Sequence, residues 1–250
     1  MIMRLSSILL LFCTAVLSNC SEEEVKVDLN EPLVHTNEPT KWWILTHPSG
    51  GNPGIYLYDE VNAKVDLSFN LPEDIISPHA LDFDGKSLWL GGMGDNQYIY
   101  EISPIDGSVL SKIPNIQAQG IAIVGDEIYY SQWSQLFSIK KDGVKLDSFM
   151  VNSNAIVDIA IHNSSVYIAV NGATDPIILF DKKTGEMKDL FDTEVIGLST
   201  LTTYDNYFVV VDDAFQIVRI DIGTHEVISR SSIKMPWSWI TAITPYNVNK

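Results

Sequence analysis

Four aspartates at the ends or starts of apolar runs are the residues best placed to bind a cation. Asp212 and Asp213 follow one apolar run, Asp158 lies near the start of another, and Asp95 follows a glycine-rich stretch. Because Ca²⁺ is bound by carboxylate oxygens, all four are candidate calcium ligands. Their spacing does not form an EF-hand loop, and adjacent aspartates also serve simply to begin a turn. No other cofactor is predicted.

A histidine, a glutamine and two tryptophans add polar and aromatic groups to this set. His79 follows Pro78, and histidine changes charge near neutral pH, so it is a candidate base or ligand; the alternative is a structural hydrogen bond. Gln119 opens the next repeat of the same pattern. Trp133 and Trp239 are suited to stacking on a sugar or an apolar side chain, and the alternative is that they fill a narrow channel.

Known catalytic signatures are missing from the sequence. It contains no Gly-x-Ser-x-Gly, no His-Glu-x-x-His and no paired-cysteine metal motif, and the run 91–94 lacks the Lys-Ser/Thr and helix of a phosphate loop. Whether the chain is an enzyme therefore stays open, with binding favoured over catalysis.

A repeat of four short strands positions these residues. First strands begin at residues 79, 119, 157 and 199, at intervals of 40, 38 and 42, and each is followed by a turn, an aromatic-rich second strand and an Asp/Gly turn. Four-stranded propeller blades have this period, and no stretch carries a sustained helical one. The pattern predicts an all-β protein, a β-propeller occupying residues 41–250.

The two ends of the repeat complete each other. The segment 42–71 supplies three strands that lack a first strand, and 239–244 supplies a first strand that lacks successors. Pairing them builds one more blade and leaves no open edge. We therefore predict five blades closed by the C-terminal strand, with a sixth from Val25 to Leu33 as the alternative.

Antiparallel pairing places first-strand starts and second-strand ends at the same end of every blade. Around a ring these positions converge on one mouth of the central channel, and concave places of mixed polarity are where ligands bind. The predicted ligand-binding residues at this mouth are His79, Gln119, Trp133, Asp158, Asp212, Asp213 and Trp239, with His47 and Asp95 beside them.

The first 19 residues read as a signal peptide. Arg4 precedes an apolar run from Leu5 to Leu17, which is shorter than the roughly 20 residues that a membrane helix needs. The run ends in Leu17-Ser18-Asn19-Cys20, which resembles the lipobox of bacterial lipoproteins except at Asn19.

The cysteine count agrees with lipidation at Cys20. The only other cysteine is Cys13, inside the removed segment, so the mature chain keeps one thiol and no disulfide partner. An ordinary secretory signal with an incidental cysteine is the alternative. Residues 20–40 then form an anchored acidic and polar linker. Its run from Ser21 to Glu24 resembles the acidic export tag of Bacteroidetes surface lipoproteins, or is a solvated spacer.

The expected location is thus the bacterial cell envelope, at the outer membrane, either periplasmic or surface-exposed. The formal net charge of −16 repels nucleic acid and anionic lipid, so neither is a predicted partner beyond the lipid anchor itself. The predicted partners are a small molecule, a glycan or an envelope protein.

The repeat resembles the NHL, quinoprotein-like and lactonase-like propellers over residues 41 to 246. A narrower resemblance, carried by the stretch 119–133 with its Gly-Ile-Ala, Ile-Tyr-Tyr and Trp elements, is to the plant-type five-bladed glutaminyl cyclases. That family carries a glutamate acid at the end of the preceding blade's second strand, where this chain has Leu90-Gly91-Gly92. Glycine cannot act as a general acid.

A binding or protein-interaction module of the envelope is therefore the leading prediction. The alternative is a propeller enzyme, either a metal-dependent hydrolase or lactonase using the four aspartates, or a divergent glutaminyl cyclase.

Overall fold

A computed structural model describes residues 40–246, except 96, 152–154, 171–176, 192, 194 and 236–238. The predicted signal peptide, Cys20 and all of the linker but Thr40 lie outside the described residues. Within that part of the chain there are twenty strands and one 3₁₀ turn, Pro48–Gly50. No helix of these residues is long and apolar enough to cross a membrane.

The strands fall into five groups along the chain. The first group is β1 (Lys41–Thr46), β2 (Gly54–Asp59) and β3 (Lys64–Phe69), and the second is β4 (Ser77–Phe83), β5 (Leu88–Met93), β6 (Tyr98–Ile102) and β7 (Val109–Pro114). The third is β8 (Ile121–Val124), β9 (Glu127–Gln132), β10 (Gln135–Lys140) and β11 (Lys145–Met150). The fourth is β12 (Ile156–His162), β13 (Ser165–Val170), β14 (Ile177–Asp181) and β15 (Glu186–Phe191). The last is β16 (Thr202–Tyr204), β17 (Tyr207–Val211), β18 (Gln216–Asp221), β19 (Val227–Ser232) and β20 (Ile240–Pro245).

β20 joins the first group instead of the last, so that five four-stranded antiparallel sheets result, and they close into a five-bladed β-propeller. The inner strands β4, β8, β12, β16 and β20 contact one another in succession around the channel. β20 pairs with β1, so blade 1 has the order β20-β1-β2-β3. The predicted count of five and the predicted seam are both confirmed, whereas the segment of the alternative sixth blade lies outside the described residues.

The cores lie between blades, which explains why second strands are apolar on both faces. Along β1, Trp43 and Leu45 pack toward blade 2, while Trp42 and Ile44 pack toward blade 5. All four are fully buried. A strand that alternates between two buried faces reads as a continuous apolar run.

Two buried carboxylates tie the inner strands to one another. Asp82 on β4 accepts hydrogen bonds from the Ile123 backbone N–H on β8 and the Thr244 hydroxyl on β20, both at 2.8 Å. Asp158 on β12 accepts one from the Leu201 backbone N–H, directly ahead of β16, at 2.8 Å. Each side chain thereby spans neighbouring blades across the channel wall.

Neighbouring blades are also joined by a group of three side chains, an aromatic ring, a carboxylate and a cation. Asp84 accepts hydrogen bonds from Trp89 of its own blade and Lys141 of the next, at 2.9 and 2.6 Å. The Lys141 Nζ also lies 5.3 Å from the Trp89 ring centroid. Burial alone would raise the pKa of Asp84, but these hydrogen bonds outweigh it and lower the pKa to about 2.

The seam between blades 5 and 1 repeats this chemistry. Glu60 accepts hydrogen bonds from Arg219 at 2.7 Å and from the Trp42 indole at 2.6 Å, and the guanidinium lies 5.6 Å from the indole centroid. Burial opposes ionisation of Glu60, yet the bonds from Arg219 and Ser231 hold its pKa below the ordinary value. The ring is thus closed by a charged latch as well as by strand pairing.

Replacing Asp82 by alanine should strongly destabilise the propeller. The change leaves the Ile123 N–H and the Thr244 hydroxyl without their acceptor, and each orphaned buried donor costs about 1–3 kcal/mol. We expect the free energy of unfolding to fall by roughly 3 kcal/mol or more, measured by urea unfolding of the chain lacking residues 1–19. Asp106→Ala, which removes a carboxylate from an exposed turn, is the control and should have a much smaller effect. Equal losses in the two variants would contradict the bridging role.

Candidate functional site

The topology brings most of the predicted residues to one mouth of the channel. His79 lies at the start of β4, Gln119 just ahead of β8, and Trp239 just ahead of β20. Trp133 follows β9, and Asp212 and Asp213 follow β17. We call this end, formed by the starts of the inner strands and the ends of the second strands, the mouth.

A bulge at the start of β4 sets the position of His79. Pro78 pairs with Gly92 and Ala80 with Gly91, so His79 is the extra residue between them. Bulges redirect a side chain and are frequent beside binding sites. The bulge places the His79 ring against blade 1 rather than within the sheet pairing.

The centre of the described mouth is a cluster of three rings. The His47 ring centroid lies 5.6 Å from that of His79 and 5.3 Å from that of Trp239. The His47 backbone N–H also donates to the Trp239 carbonyl at 3.0 Å. His47 and His79 are half-buried, whereas more than half of Trp239 is exposed. This cluster joins the seam strands β20 and β1 to β4.

Hydrogen bonds define the proton positions on His47. The Ser49 backbone N–H donates to Nδ1 at 3.1 Å, so that nitrogen must be unprotonated. The proton of the neutral ring is then on Nε2, which lies 3.2 Å from the Ser77 hydroxyl oxygen and donates to it. Burial lowers the pKa of His47; burial, and to a smaller extent the charge of His47, lower that of His79.

The hydrogen bond between His47 and Ser77 runs in the direction opposite to that in a hydrolytic serine–histidine pair. A serine nucleophile needs a histidine nitrogen that accepts the hydroxyl proton, with the other nitrogen donating to a carboxylate. Here Nε2 donates to the serine, and a backbone N–H occupies Nδ1. The pair can orient a polar ligand, but it is not arranged to activate Ser77.

Three aromatic residues at the mouth have left-handed backbone conformations. The φ angles are +55° at Trp133, +56° at Phe215 and +83° at Trp239. Bulky side chains seldom adopt such angles, and strain of this kind collects at functional sites. Gln119 holds the first of these turns, because its Oε1 accepts the Trp133 backbone N–H at 2.7 Å. The predicted polar residue Gln119 therefore positions an aromatic one.

The paired aspartates at the end of β17 have different environments. Asp212 is buried; its Oδ1 accepts the backbone N–H groups of Ala214 and Gln216, and its Oδ2 lies 3.1 Å from Arg230. It therefore builds the turn that carries Phe215. Asp213 is exposed, and its backbone N–H donates to the Ile196 carbonyl.

Asp158 does not reach the mouth surface. A bulge between Ile156 and Asp158 shifts it one position into the strand, where it is 3% exposed. Its oxygens accept the Ile159 and Leu201 backbone N–H groups, and burial raises its pKa well above the ordinary value. It lies in the channel wall as a bridge between blades, which differs from its predicted place among the ligand-binding residues.

The four candidate calcium ligands are not gathered by the fold. Asp95 is exposed on the blade 2 loop, Asp213 is exposed on blade 5, and Asp158 and Asp212 are buried in separate hydrogen-bond sets. Among the described residues, no group of three or more His, Cys, Asp or Glu side chains is arranged to hold a metal ion. The geometry therefore lends the calcium prediction no support.

Gly91 and Gly92, the pair at which the resemblance to the cyclases implies an acid, are closely packed. A Cβ on Gly91 would lie 2.6 Å from the Ala118 Cβ, and one on Gly92 would lie 2.9 Å from the Ser77 carbonyl oxygen. Both distances are shorter than van der Waals contact allows. Neither position can accept an acidic side chain without displacing Ala118 or the backbone of Ser77.

Sequence reasoning missed the apolar part of the mouth. Ile76 precedes β4, Met150 ends β11 and Ile196 precedes the last blade, and all three are exposed. Ser77, the partner of His47, was also missed. The rule that located the polar residues would have located Ile76, Ser77 and Ile196 as well, had it been applied to every residue type. Met150 ends a fourth strand, which the rule did not cover.

The lowered pKa values of the two histidines predict a pH-dependent stability. Between the folded-state pKa and the unfolded value of about 6.5, the unfolded chain binds more protons, so the free energy of unfolding falls as pH decreases through 6.5. We expect His79→Gln to reduce this slope in urea unfolding between neutral and mildly acidic pH. NMR titration should place the His79 pKa below 6.5, and a value at or above it would contradict the prediction.

Comparison with known proteins identifies other structures of the same fold but does not identify a reaction. No protein-family model and no curated protein matches the chain. Among solved structures, a protein of unknown function from Bacteroides caccae is similar, with 13% identity and a TM-score of 0.56 over 83% of this chain and 99% of that one. A glutaminyl cyclase from Myxococcus xanthus is similar with 13% identity and a TM-score of 0.50 over 68% of this chain and 75% of that one. At such identities the likeness shows a shared propeller fold.

Proposed function

We propose that this chain is a lipid-anchored interaction module of the bacterial cell envelope, which holds a partner at the mouth without transforming it. The anchor is Cys20 and the body is the five-bladed propeller. The proposal is carried by one observation, the exposure of five large apolar side chains, two of them tryptophans, at the mouth.

Five large apolar side chains are exposed there, by 53% to 73% of their surface: Ile76, Trp133, Met150, Ile196 and Trp239. We call this set the mouth patch. Exposed apolar side chains are unfavourable in water, and a surface that presents several of them marks a site that another molecule covers. Trp and Met are enriched at the centres of protein interfaces. The mouth patch is therefore best explained as a docking surface.

Strain at the tryptophans supports the same conclusion. Trp133 and Trp239 keep positive φ angles although neither side chain is buried in the core. A backbone conformation that costs of order 1–3 kcal/mol persists when the surrounding structure enforces it. Here the enforcing bonds, from Gln119 and His47, hold indole rings at the solvent boundary. Rigid aromatic anchors of this kind bind partners with little loss of conformational entropy.

An enzymatic role is the second candidate, and the observation in its favour is the fold that the chain shares with a glutaminyl cyclase. Two features favour binding instead. The packed Gly91 stands where the cyclases carry their acid, and the His47–Ser77 contact has the wrong polarity for nucleophilic catalysis.

The binding role predicts that the tryptophans of the mouth patch determine affinity. Wild-type chain lacking residues 1–19 and a Trp133→Ser/Trp239→Ser variant would be tested on glycan and peptide arrays. We expect at least about tenfold weaker binding by the variant, since truncating a central Trp typically costs about 2 kcal/mol or more.

The matched control is Val61→Ser/Ile105→Ser, which removes two exposed apolar side chains from the opposite end of the propeller. Its binding should equal that of the wild type. Mass spectrometry of the recovered ligands checks for reaction. Conversion of a ligand to product, or binding that ignores the tryptophan substitutions, would contradict the proposed function.

Lipidation predicts a clear difference between the two cysteines. In bacterial cells supplied with labelled palmitate, the full-length chain should incorporate label and fractionate with membranes. Cys20→Ser should abolish both, because the acyl chains are what hold a lipoprotein at the membrane. Cys13→Ser is the matched control and should behave as the wild type. Release of unlabelled wild-type chain into the medium would show that the signal is an ordinary secretory one.

A further inference from the structure

We infer that the partner of the mouth patch is a peptide segment of an envelope protein that carries Lys or Arg beside apolar side chains. This inference rests on the proposed function and adds the chemical class of the ligand.

Three carboxylates that lack a cation lie beside the mouth patch. Glu73, Asp95 and Asp213 are exposed in the mouth loops, and none forms an ion pair with another described residue. They stand on the blade 1–2 connection, on blade 2 and on blade 5, which are neighbours around the ring, so they flank the side of the mouth that carries Trp239 and Ile76. An apolar centre with a charged rim is the usual organisation of a protein interface.

The other carboxylates that the structure describes in the mouth loops already have their cations. Asp74 is paired with Lys112 at 2.6 Å, and Asp212 with Arg230 at 3.1 Å. The exposed Lys234 is the remaining described cation of the mouth loops. The balance of unpaired charge at the mouth is therefore negative, and it complements a cationic ligand.

The propeller itself shows how its aromatic and acidic groups accept cations. At two blade boundaries a tryptophan and a carboxylate share a cation, Lys141 in one case and Arg219 in the other. The mouth offers the same two partners, exposed indole rings and exposed carboxylates. Indole faces attract guanidinium and ammonium groups, an attraction that strengthens when water is excluded.

The charge of the chain argues against other occupants. A second copy carries the same net charge of −16, and the segment 21–24 of this chain is acidic, so both are repelled by the rim. A neutral glycan would stack on the tryptophans, but it has no use for the aliphatic Ile76, Met150 and Ile196. Apolar side chains of a peptide cover both kinds of surface.

The test uses peptide arrays in three matched versions, with Lys or Arg, Gln, or Glu at the same positions and identical apolar residues elsewhere. Neutral glycans are arrayed beside them. The probes are wild-type protein, an Asp95→Asn/Asp213→Asn variant, the Trp133→Ser/Trp239→Ser variant, and an Asp126→Asn/Asp142→Asn control. The control removes the same charge from exposed turns at the opposite end.

We expect the basic peptides to bind more tightly than the Gln versions, and the Glu versions most weakly. The mouth variant should lose roughly threefold to tenfold of its affinity for basic peptides, the size typical of two exposed ion pairs, and none for the Gln versions. The control should bind as the wild type. Added salt should weaken the binding of the basic peptides alone, because exposed charges are screened.

Four outcomes would overturn the inference. Equal binding of the three peptide versions would remove the charge requirement, and self-association of the protein through the mouth would make a second copy the occupant. Glycan binding that depends on Trp133 and Trp239 without peptide binding would overturn the peptide class but leave the proposed function intact. Binding that ignores the tryptophans would overturn both.

Discussion

The buried carboxylates of Asp82 and Asp158 are the interaction on which the ring depends. Each inner strand has a sheet neighbour on one side and the channel on the other, so backbone N–H groups on the channel side have no strand to pair with. In this propeller they donate to aspartates of adjacent blades: Ile123 to Asp82 and Leu201 to Asp158. These backbone N–H groups at the channel edges of the sheets are thereby hydrogen-bonded across the blade boundaries.

This solution also decides where a ligand can bind. The channel wall below the mouth is lined by inner-strand residues whose polar atoms bond to one another, as Thr203 does with the Ile161 carbonyl and Thr244 with Asp82. A carboxylate whose oxygens already accept backbone N–H groups has little left to offer a metal or substrate. These polar atoms of the channel wall are engaged in structural hydrogen bonds, and the proposed binding role therefore rests on the exposed groups of the mouth.

The sequence was informative where a physical pattern repeats. A repeat of short strands and turns at intervals of 38 to 42 residues predicted the blades, and the unmatched strands at 42–71 and 239–244 predicted the seam, because an open propeller edge is unfavourable. Placement of single side chains failed where a bulge intervenes. One extra residue in β12 carries Asp158 into the wall, whereas one in β4 carries His79 to the mouth, and neither bulge has a sequence signal.

The same limit explains why chemistry was harder to infer than architecture. A histidine and a serine near one channel mouth suggest catalysis by their types alone. Whether the histidine can activate the serine depends on which of the two donates the hydrogen bond. Ser49 is two residues from His47, and its backbone N–H removes Nδ1 from any carboxylate and turns Nε2 into a donor. Only the conformation of the turn after β1 reveals this. What the mouth then has to offer is aromatic surface and negative charge, and the proposed binding role rests on these two properties.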